Sequence, residues 1–302
     1  MNTMRISRLA FKALQSVSPD KAAALAERLF FSVGQTRLPA DCTAVLEEGT
    51  PFTVRVAGRE IIAWSWGSGS VVYLVHGWGS RGGRLAAFVA PLLAAGYQVV
   101  THDAPGHGAS GFGMTSMPEF ARALRAVDDA VGPAFGIVAH SMGASASTLA
   151  MAQGLTVSRA VFLAPAANPA AYVAPFAKTL GLKQEVVRRL RERSQRRVAF
   201  NWDDLDVPSM ARGLKVPLLV FHDDHDRVVS PADGMAITAA WPKASLVSTT
   251  GLGHRGVTSD PAVIRQAVQF LTGEEYPGAP ASTDWGAKEL ERDLFNREAR
   301  RI

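Results

Sequence analysis

Three residues of this chain, Ser141, Asp226 and His254, have the side chains that acyl transfer requires. A serine hydroxyl becomes a nucleophile when a histidine accepts its proton and a carboxylate orients that histidine. Each of the three stands in a segment of small or polar residues that closely follows an apolar run. The residue types therefore predict a nucleophile, a base and an orienting acid, provided that the fold brings them together.

The segment around the serine, residues 139–143, has the sequence Ala-His-Ser-Met-Gly and follows the apolar stretch FGIV. Such a segment predicts a sharp turn from a strand into a helix, with the serine at its apex. The residues two before and two after the serine crowd each other and must be small, as Ala139 and Gly143 are. Alanine replaces the first glycine of the G-x-S-x-G pattern but satisfies this steric condition. A capped helix start is the alternative interpretation.

Two main-chain N–H groups are expected to stabilise the oxyanion that forms when a serine attacks a carbonyl carbon. One belongs to Trp78, in the loop VHGWGSRGG that ends a buried run. The other belongs to Met142, at the start of the following helix, where the helix dipole favours negative charge. A phosphate-binding loop is the alternative for the first segment, but it lacks the Lys-Ser/Thr ending and the G-x-G-x-x-G spacing.

The segment FHDDHDRVVSP, residues 221–231, contains two histidines and three aspartates. A metal site is one interpretation, yet adjacent residues of an extended strand end point in opposite directions, and no second cluster has ligand spacing. We therefore expect no metal and no cofactor. Asp226 lies beyond the strand end and is expected to turn back towards His254, for which a free loop histidine is the alternative. His102 and His107, in HDAPGHGAS, are expected to be structural.

The elements that must position these residues alternate between short apolar runs and segments of helical length. The apolar runs occupy residues 71–77, 97–103, 136–140, 160–164, 216–223 and 245–249. Continuous apolar runs separated by helices are typical of parallel strands buried on both faces. FTVRVAG and EIIAWSWG precede them and alternate as an antiparallel pair. The predicted fold class is α/β, a mostly parallel sheet with helices on both faces, and such sheets bind ligands at the carboxyl ends of their strands.

The spacing of these elements divides the chain into three parts. Residues 1–48 are predicted to form an N-terminal helical extension, because apolar residues recur there at helical spacing and the pattern breaks near Pro19. Residues 49–272 are predicted to form the α/β domain. Within it, about residues 166–213 exceed what one crossover needs and are expected to form a small helical cap. Residues 273–302 are a charged tail, either a terminal helix or a mobile segment, with no chemistry assigned.

Composition and charge limit the partners of this 302-residue chain, which is 47% apolar. A single cysteine excludes an internal disulfide framework, so a cytoplasmic location is expected, with a secreted protein that lacks disulfides as the alternative. The net charge of +5 is concentrated in RRLRERSQRR, residues 188–197. Its arginines surround a helix, which favours a solvated surface over nucleic-acid binding, with an anion or acidic-partner site as the alternative. No integral membrane segment is predicted, and the basic first helix allows weak membrane-surface contact. The oligomeric state is not predicted.

The order serine, aspartate, histidine and five segments of the chain resemble the α/β-hydrolase fold family over about residues 50–272. The segments are HGWGS, DAPGHGAS, AHSMGA, HDDHDRVVS and GLGHRG. The resemblance implies that Ser141 attacks an acyl carbon, that His254 acts as base and then as acid, and that Asp226 fixes the histidine tautomer. It also implies that the two N–H groups named above are the oxyanion donors.

A serine at the turn excludes the carboxylate-dependent members of this family, the haloalkane dehalogenases and epoxide hydrolases. Acyl transfer to water is therefore expected, with a small-molecule carboxylic ester as substrate and a thioester, lactone or amide as alternatives. The residues expected to contact the substrate are His76, Phe112, Met114, Tyr172 and Phe176. Two other functions stay open: a non-hydrolytic enzyme, as a lyase or a cofactor-free peroxidase, and a catalytically silent scaffold that binds a partner.

Overall fold

The computed structural model describes residues 3–34 and 37–273, and within them the chain forms one eight-stranded sheet with helices around it. The strands are β1 (Thr50–Val56), β2 (Arg59–Trp66), β3 (Val71–Val75), β4 (Gln98–His102), β5 (Ala134–His140), β6 (Arg159–Leu163), β7 (Leu218–Asp223) and β8 (Ala244–Thr249). Apart from Gly273, the predicted charged tail lies outside the described residues.

The strand order across the sheet is β1-β2-β4-β3-β5-β6-β7-β8. β1 pairs with β2, and β2 with β4, in antiparallel orientation, whereas every other pair is parallel. This arrangement confirms the predicted mostly parallel sheet with an antiparallel pair at its start. Because β3, β5, β7 and β8 run in the same direction, their carboxyl ends meet at one edge of the sheet, where ligands of parallel sheets bind.

Helices connect most of the strands and cover the sheet. The α-helices of the described residues are α1 (Thr3–Val17), α2 (Pro19–Phe31), α3 (Ala40–Glu48), α4 (Val89–Ala94), α5 (Met117–Val131), α6 (Met142–Ala152), α7 (Val173–Leu180), α8 (Gln184–Val198), α9 (Val207–Ala211), α10 (Pro231–Ala240), α11 (Gly253–Gly256) and α12 (Pro261–Thr272). Short 3₁₀ helices cover Gly82–Phe88, Gly108–Ser110, Pro169–Tyr172 and Trp202–Leu205. None of the described helices has the length and apolarity to cross a membrane.

Alternate side chains of the buried strands enter two different hydrophobic cores, one on each face of the sheet. On β3, Val71, Tyr73 and Val75 pack into the core that includes α5 and α6, whereas Val72 and Leu74 pack into the core that includes α4 and α12. This alternation follows from the two-residue period of an extended strand. Because both faces are covered, all five side chains are buried, and the strand is apolar throughout.

A third hydrophobic core lies outside the sheet, between the N-terminal helices and the helices that follow β6. Phe11 of α1 and Phe31 of α2 pack there with Leu180 of α7, Leu190 of α8 and Trp202. The N-terminal extension therefore packs against the segment that the sequence predicts as a cap. The two segments are far apart in the sequence, so no local sequence pattern predicts this contact.

Carboxylates of the same chain neutralise most of the arginines of α8. Arg193 and Arg197 lie 3.0 and 3.3 Å from the buried Glu27 of α2, and Arg197 lies 3.0 Å from Glu119 of α5. The other ion pairs are Arg188 with Glu185 and Glu192, Arg189 with Asp20 and Glu185, and Arg191 with Asp203. Among the six, only Arg196 forms no ion pair with a described carboxylate. These contacts tie α8 to α2 and α5.

Candidate active site

Ser141 joins β5 to α6 through a strained turn, with φ 54° and ψ −124°. A positive φ is costly for a residue with a side chain and persists only where the surroundings hold it. The Ser141 N–H donates to the carbonyl oxygen of Leu163 on β6 at 2.9 Å. A Cβ atom at Gly143 would lie 2.5 Å from the carbonyl oxygens of Val75 and His76, so only glycine fits there. The close packing holds the serine at the carboxyl edge of the sheet.

A continuous chain of polar contacts joins the three residues of the predicted nucleophile, base and acid. The Ser141 Oγ lies 3.1 Å from Nε2 of His254, and Nδ1 of His254 lies 2.7 Å from Oδ2 of Asp226. A carboxylate only accepts hydrogen bonds, so Nδ1 of His254 carries a hydrogen and donates a hydrogen bond to Asp226. With the Nδ1 hydrogen directed at Asp226, the Nε2 atom faces the Ser141 hydroxyl.

Main-chain groups and two histidines fix the Asp226 carboxylate. Its Oδ1 accepts hydrogen bonds from the N–H groups of Val228 and Val229 at 2.8 and 3.0 Å. Its Oδ2 accepts from His254 and lies 3.5 Å from Nε2 of His222. Burial alone raises the pKa of Asp226, but the hydrogen bonds from His222, His254, Val229 and Val228 outweigh burial and hold that pKa far below its usual range. The carboxylate therefore stays ionised and bears a negative charge beside the imidazole.

The two neighbouring aspartates face other partners. Asp223 accepts hydrogen bonds from the N–H of Leu252 at 2.9 Å, the N–H of His225 at 3.0 Å and the hydroxyl of Thr249 at 2.9 Å. It therefore anchors the loop that carries His254. Asp224 lies on the surface within 3.3 Å of the Thr250 hydroxyl. No group of three or more histidine, cysteine or acidic side chains in the described residues could hold a metal ion.

His140, the residue before the serine, contacts His254 directly. Its Nε2 lies 2.8 Å from the main-chain oxygen of His254, and the two ring centroids are 4.6 Å apart. Burial, followed by the nearby His254, lowers the pKa of His140 to about 3, so the ring is neutral. Since a carbonyl only accepts, Nε2 must carry the hydrogen of His140. This contact was not predicted from the sequence, although His140 directly precedes the serine.

His76 and His107 hold the loop of Trp78 instead of facing the substrate side. His76 accepts the Ala104 N–H at 2.9 Å through Nε2, and its Nδ1 lies 2.7 Å from the Gly77 oxygen. His107 accepts the Gly79 N–H at 3.0 Å. Burial lowers the pKa of each ring to about 3. The structure thus places the fully buried His76 behind the site, contrary to the expected substrate contact, because both of its nitrogens are used by the main chain.

A cavity of about 360 Å³ opens at the serine. Trp78, Met142, Tyr172 and His254 lie on its wall, so the expected oxyanion residues and one expected substrate contact adjoin the nucleophile. Met142 opens α6, where first-turn N–H groups lack intrahelical acceptors. The remaining apolar wall residues, apart from glycine, come from α2, from the start of α5, from the segment between β6 and β7, and from the loop of Asp226: Phe30, Phe31, Met117, Pro118, Ala166, Pro169, Ala170, Val198, Trp202, Leu205, Val228 and Val229.

Three residues expected in the pocket lie elsewhere in the described structure. Phe112 is 79% exposed, and Met114 packs against the third core. Phe176 does not line the cavity. Its ring packs against Phe30, which does line the cavity, with the two ring centroids 5.0 Å apart. The aromatic side chains at this part of the wall come instead from α2. Phe30 and Phe31 carry no local sequence signal for this role beyond the apolar end of an amphipathic helix.

Comparison with known families and curated proteins gives one match. The family described as serine aminopeptidase, S33, matches residues 68–207, which contain the turn of Ser141 but neither Asp226 nor His254. No curated protein matches the sequence significantly.

Solved structures resemble the fold over most of the chain. A membrane phospholipase A, described as a bacterial virulence factor, is 20% identical, with 88% of this chain and 95% of that chain covered and a TM-score of 0.58. A bromoperoxidase from Bacillus anthracis is 18% identical over 74% of this chain and 100% of its own, with a TM-score of 0.59. A thioesterase domain from the curacin biosynthetic pathway is 19% identical over 74% and 98%, with a TM-score of 0.55. Together with the sheet topology, these likenesses show that the chain has the α/β-hydrolase fold.

Proposed function

We propose that this protein is a serine hydrolase that cleaves a carboxylic ester through an acyl-enzyme intermediate. The observation that carries the proposal is the continuous chain of contacts from Asp226 through His254 to Ser141 at the wall of an apolar cavity. A nucleophile, a base and an orienting acid within hydrogen-bond distance are the parts that covalent acyl transfer needs. The apolar wall suits an acyl chain beside the reacting carbonyl.

In the first step, His254 Nε2 accepts the hydroxyl proton while Ser141 Oγ bonds to the acyl carbon. The electron pair of the carbonyl moves to its oxygen, and the N–H groups of Trp78 and Met142 stabilise this oxyanion. The imidazolium formed on His254 is stabilised by the ionised Asp226, whose pKa lies far below its usual range.

In the second step, the oxyanion collapses and the bond to the leaving alcohol breaks. The alcohol oxygen takes the proton from His254, and the acyl group stays on Ser141. Water then takes the place of the serine as nucleophile. His254 accepts a proton from the water, and the water oxygen bonds to the acyl carbon. The bond from Ser141 Oγ to the acyl carbon then breaks, and His254 returns the proton to Ser141 Oγ. The products are one carboxylic acid and one alcohol for each ester consumed.

The proposal is tested with a short p-nitrophenyl ester. Ser141→Ala is expected to lower kcat/KM by about a thousandfold or more, because the nucleophile is lost. The matched control is Ser147→Ala, on the same helix. The Ser147 hydroxyl forms one hydrogen bond within the described residues, to the Gly143 carbonyl oxygen, and the residue does not line the cavity. We expect it to stay within tenfold of the wild type, a rough range for a side chain remote from the substrate.

Activity of Ser141→Ala within tenfold of the wild type would remove Ser141 from the mechanism. Product analysis tests the hydrolytic assignment separately. Acid and alcohol in equal amounts support it, whereas a consumed substrate that yields neither indicates the non-hydrolytic alternative.

A further inference from the structure

The formally charged residues on the described cavity wall are all positive. Among the wall residues, Arg84 and Arg255 carry formal charge, and no aspartate or glutamate is present on the described wall. Everything else there is apolar, small, a hydroxyl or a histidine. A cleft that presents one sign of charge between low-dielectric walls attracts ligands of the opposite sign. The cavity therefore presents positive charge beside a largely apolar wall.

The two arginines reach the cavity from different elements. Arg84 lies half-buried in the 3₁₀ helix Gly82–Phe88, close enough to His140 for its positive charge to add to the lowering of that histidine's pKa. Burial is the largest cause of that shift. Arg255 directly follows His254 in α11 and is exposed. Both arginines thus line the same cavity as Ser141 and His254.

The two arginines of the cavity lack an acidic partner within the described residues, unlike Arg81 and Arg59. Arg81 lies 3.5 Å from Asp103, and Arg59 lies 4.0 Å from Glu119. No ion pair within the described residues includes Arg84 or Arg255. Their charges are therefore available to a ligand.

We infer that the substrate carries an anionic group, a carboxylate or a phosphate, which pairs with Arg84 and Arg255 while its apolar chain fills the cavity. This inference rests on the proposed hydrolysis at Ser141 for the placement of the ester bond. Guanidinium groups bind carboxylates and phosphates through paired N–H donors. The chemical class is an amphiphilic ester with one apolar and one anionic end.

The first test compares two matched esters, p-nitrophenyl butyrate and its analogue with a carboxylate on the nitrophenyl ring. The wild type is expected to favour the anionic ester by about tenfold in kcat/KM after correction for intrinsic hydrolysis rates. Arg84→Gln and Arg255→Gln should each reduce this ratio by about threefold, and the double variant should abolish it. The preference should also decline with ionic strength, because salt screens exposed charges.

Arg196→Gln is the matched control, since it removes an exposed, unpaired arginine outside this cavity and changes the net charge equally. It should leave the ratio of the two esters unchanged. An equal effect of Arg196→Gln would attribute the preference to net charge and overturn the inference.

The second test measures binding without turnover. Isothermal titration compares decanoate, decyl phosphate and 1-decanol, which share an apolar chain and differ in the head group. Tighter binding of either anion than of decanol, lost in the double arginine variant, supports the inference, and the tighter of the two anions identifies the preferred group. Tighter anion binding of this kind, together with no hydrolysis of either p-nitrophenyl ester, would reject the proposed hydrolysis and leave the inference standing. Ester hydrolysis with no anion preference in either test would reject the inference alone.

Discussion

Two segments at the carboxyl edge of the sheet use the same residue types for different purposes. HDAPGHGAS begins at the last residue of β4, and HDDHDRVVS begins at the last two residues of β7. In both, the first aspartate binds main-chain N–H groups: Asp103 accepts from Gly82 and Ala109 at 2.7 Å each, much as Asp223 anchors its own loop. Only the second segment has a further aspartate, Asp226, that faces a histidine near the nucleophile. The residue that faces the carboxylate, and not the residue type, distinguishes the two segments.

The largest expected difference between the segments is in turnover. Asp226→Asn should lower kcat by about ten thousandfold, because a neutral amide neither fixes the His254 tautomer nor stabilises the imidazolium. KM should change little. The measurement is steady-state hydrolysis of a p-nitrophenyl ester by the purified variant.

Asp103→Asn is the control from the first segment. It should keep kcat within about tenfold while lowering the unfolding free energy by about 1–3 kcal/mol, because a buried acceptor of two N–H groups is weakened. If Asp103→Asn loses turnover as severely as Asp226→Asn in folded protein, the distinction between the two segments is wrong.

A smaller effect is expected at His140, which donates to the main-chain oxygen of His254. His140→Leu should lower kcat by about tenfold to a hundredfold, since misplaced catalytic groups lose rate steeply. His140→Gln keeps a side-chain N–H and should recover part of the loss. The control is His102→Leu, since His102 is equally buried in the first segment and neither ring nitrogen has a described partner. Equal kinetic losses in both variants would show that burial alone matters.

The neutral buried histidines predict sensitivity of the fold to acid. Burial lowers the pKa of His76, His107 and His140 to about 3 and that of His102 to about 4. Below pH about 6.5 the unfolded chain gains protons at these residues and the folded chain does not, so the unfolding free energy falls, by at most about 1.4 kcal/mol per pH unit for each histidine. Urea unfolding at several pH values measures this slope. His102→Leu should reduce the pH slope of the unfolding free energy by the contribution of one histidine. An unchanged slope would contradict a buried, neutral His102 in the folded protein.

The smallest effect is expected at Asp224, which lies between the anchoring and the reactive aspartate. Asp224→Asn should stay within about twofold of wild-type kcat, because exposed substitutions remote from the site change little. The same ester assay measures it. A large loss there would place the acid at Asp224 and would mean that the loop has been misaligned.

Much of the fold and the proximity of Ser141, Asp226 and His254 could be predicted from the sequence, because both depend on local patterns. A strand buried on both faces is apolar throughout, and parallel strands bring their carboxyl ends to one edge. The order of Ser141, Asp226 and His254 along the chain then suffices to place all three at that edge. Local steric rules at Gly143 specify the turn in the same way.

The walls of the cavity could not be predicted, because they depend on which helices dock over the edge. Phe30 and Phe31 come from an N-terminal helix whose periodicity indicates an apolar face but not its partner. The same limit applies to His76, since only the structure shows that its nitrogens are already used by main-chain groups. For Arg84, the informative feature is that no acidic partner lies beside it among the described residues, which no sequence pattern displays.

The most direct test of the central claim is labelling with a fluorophosphonate, which forms a covalent bond with an activated serine hydroxyl. Intact-protein mass spectrometry should show one adduct per chain, and peptide mapping should place it on Ser141, with labelling strongly slowed in Asp226→Asn because the base is no longer oriented. An adduct on another serine, or an unlabelled protein that still hydrolyses the ester, would contradict the assignment of Ser141 as the nucleophile.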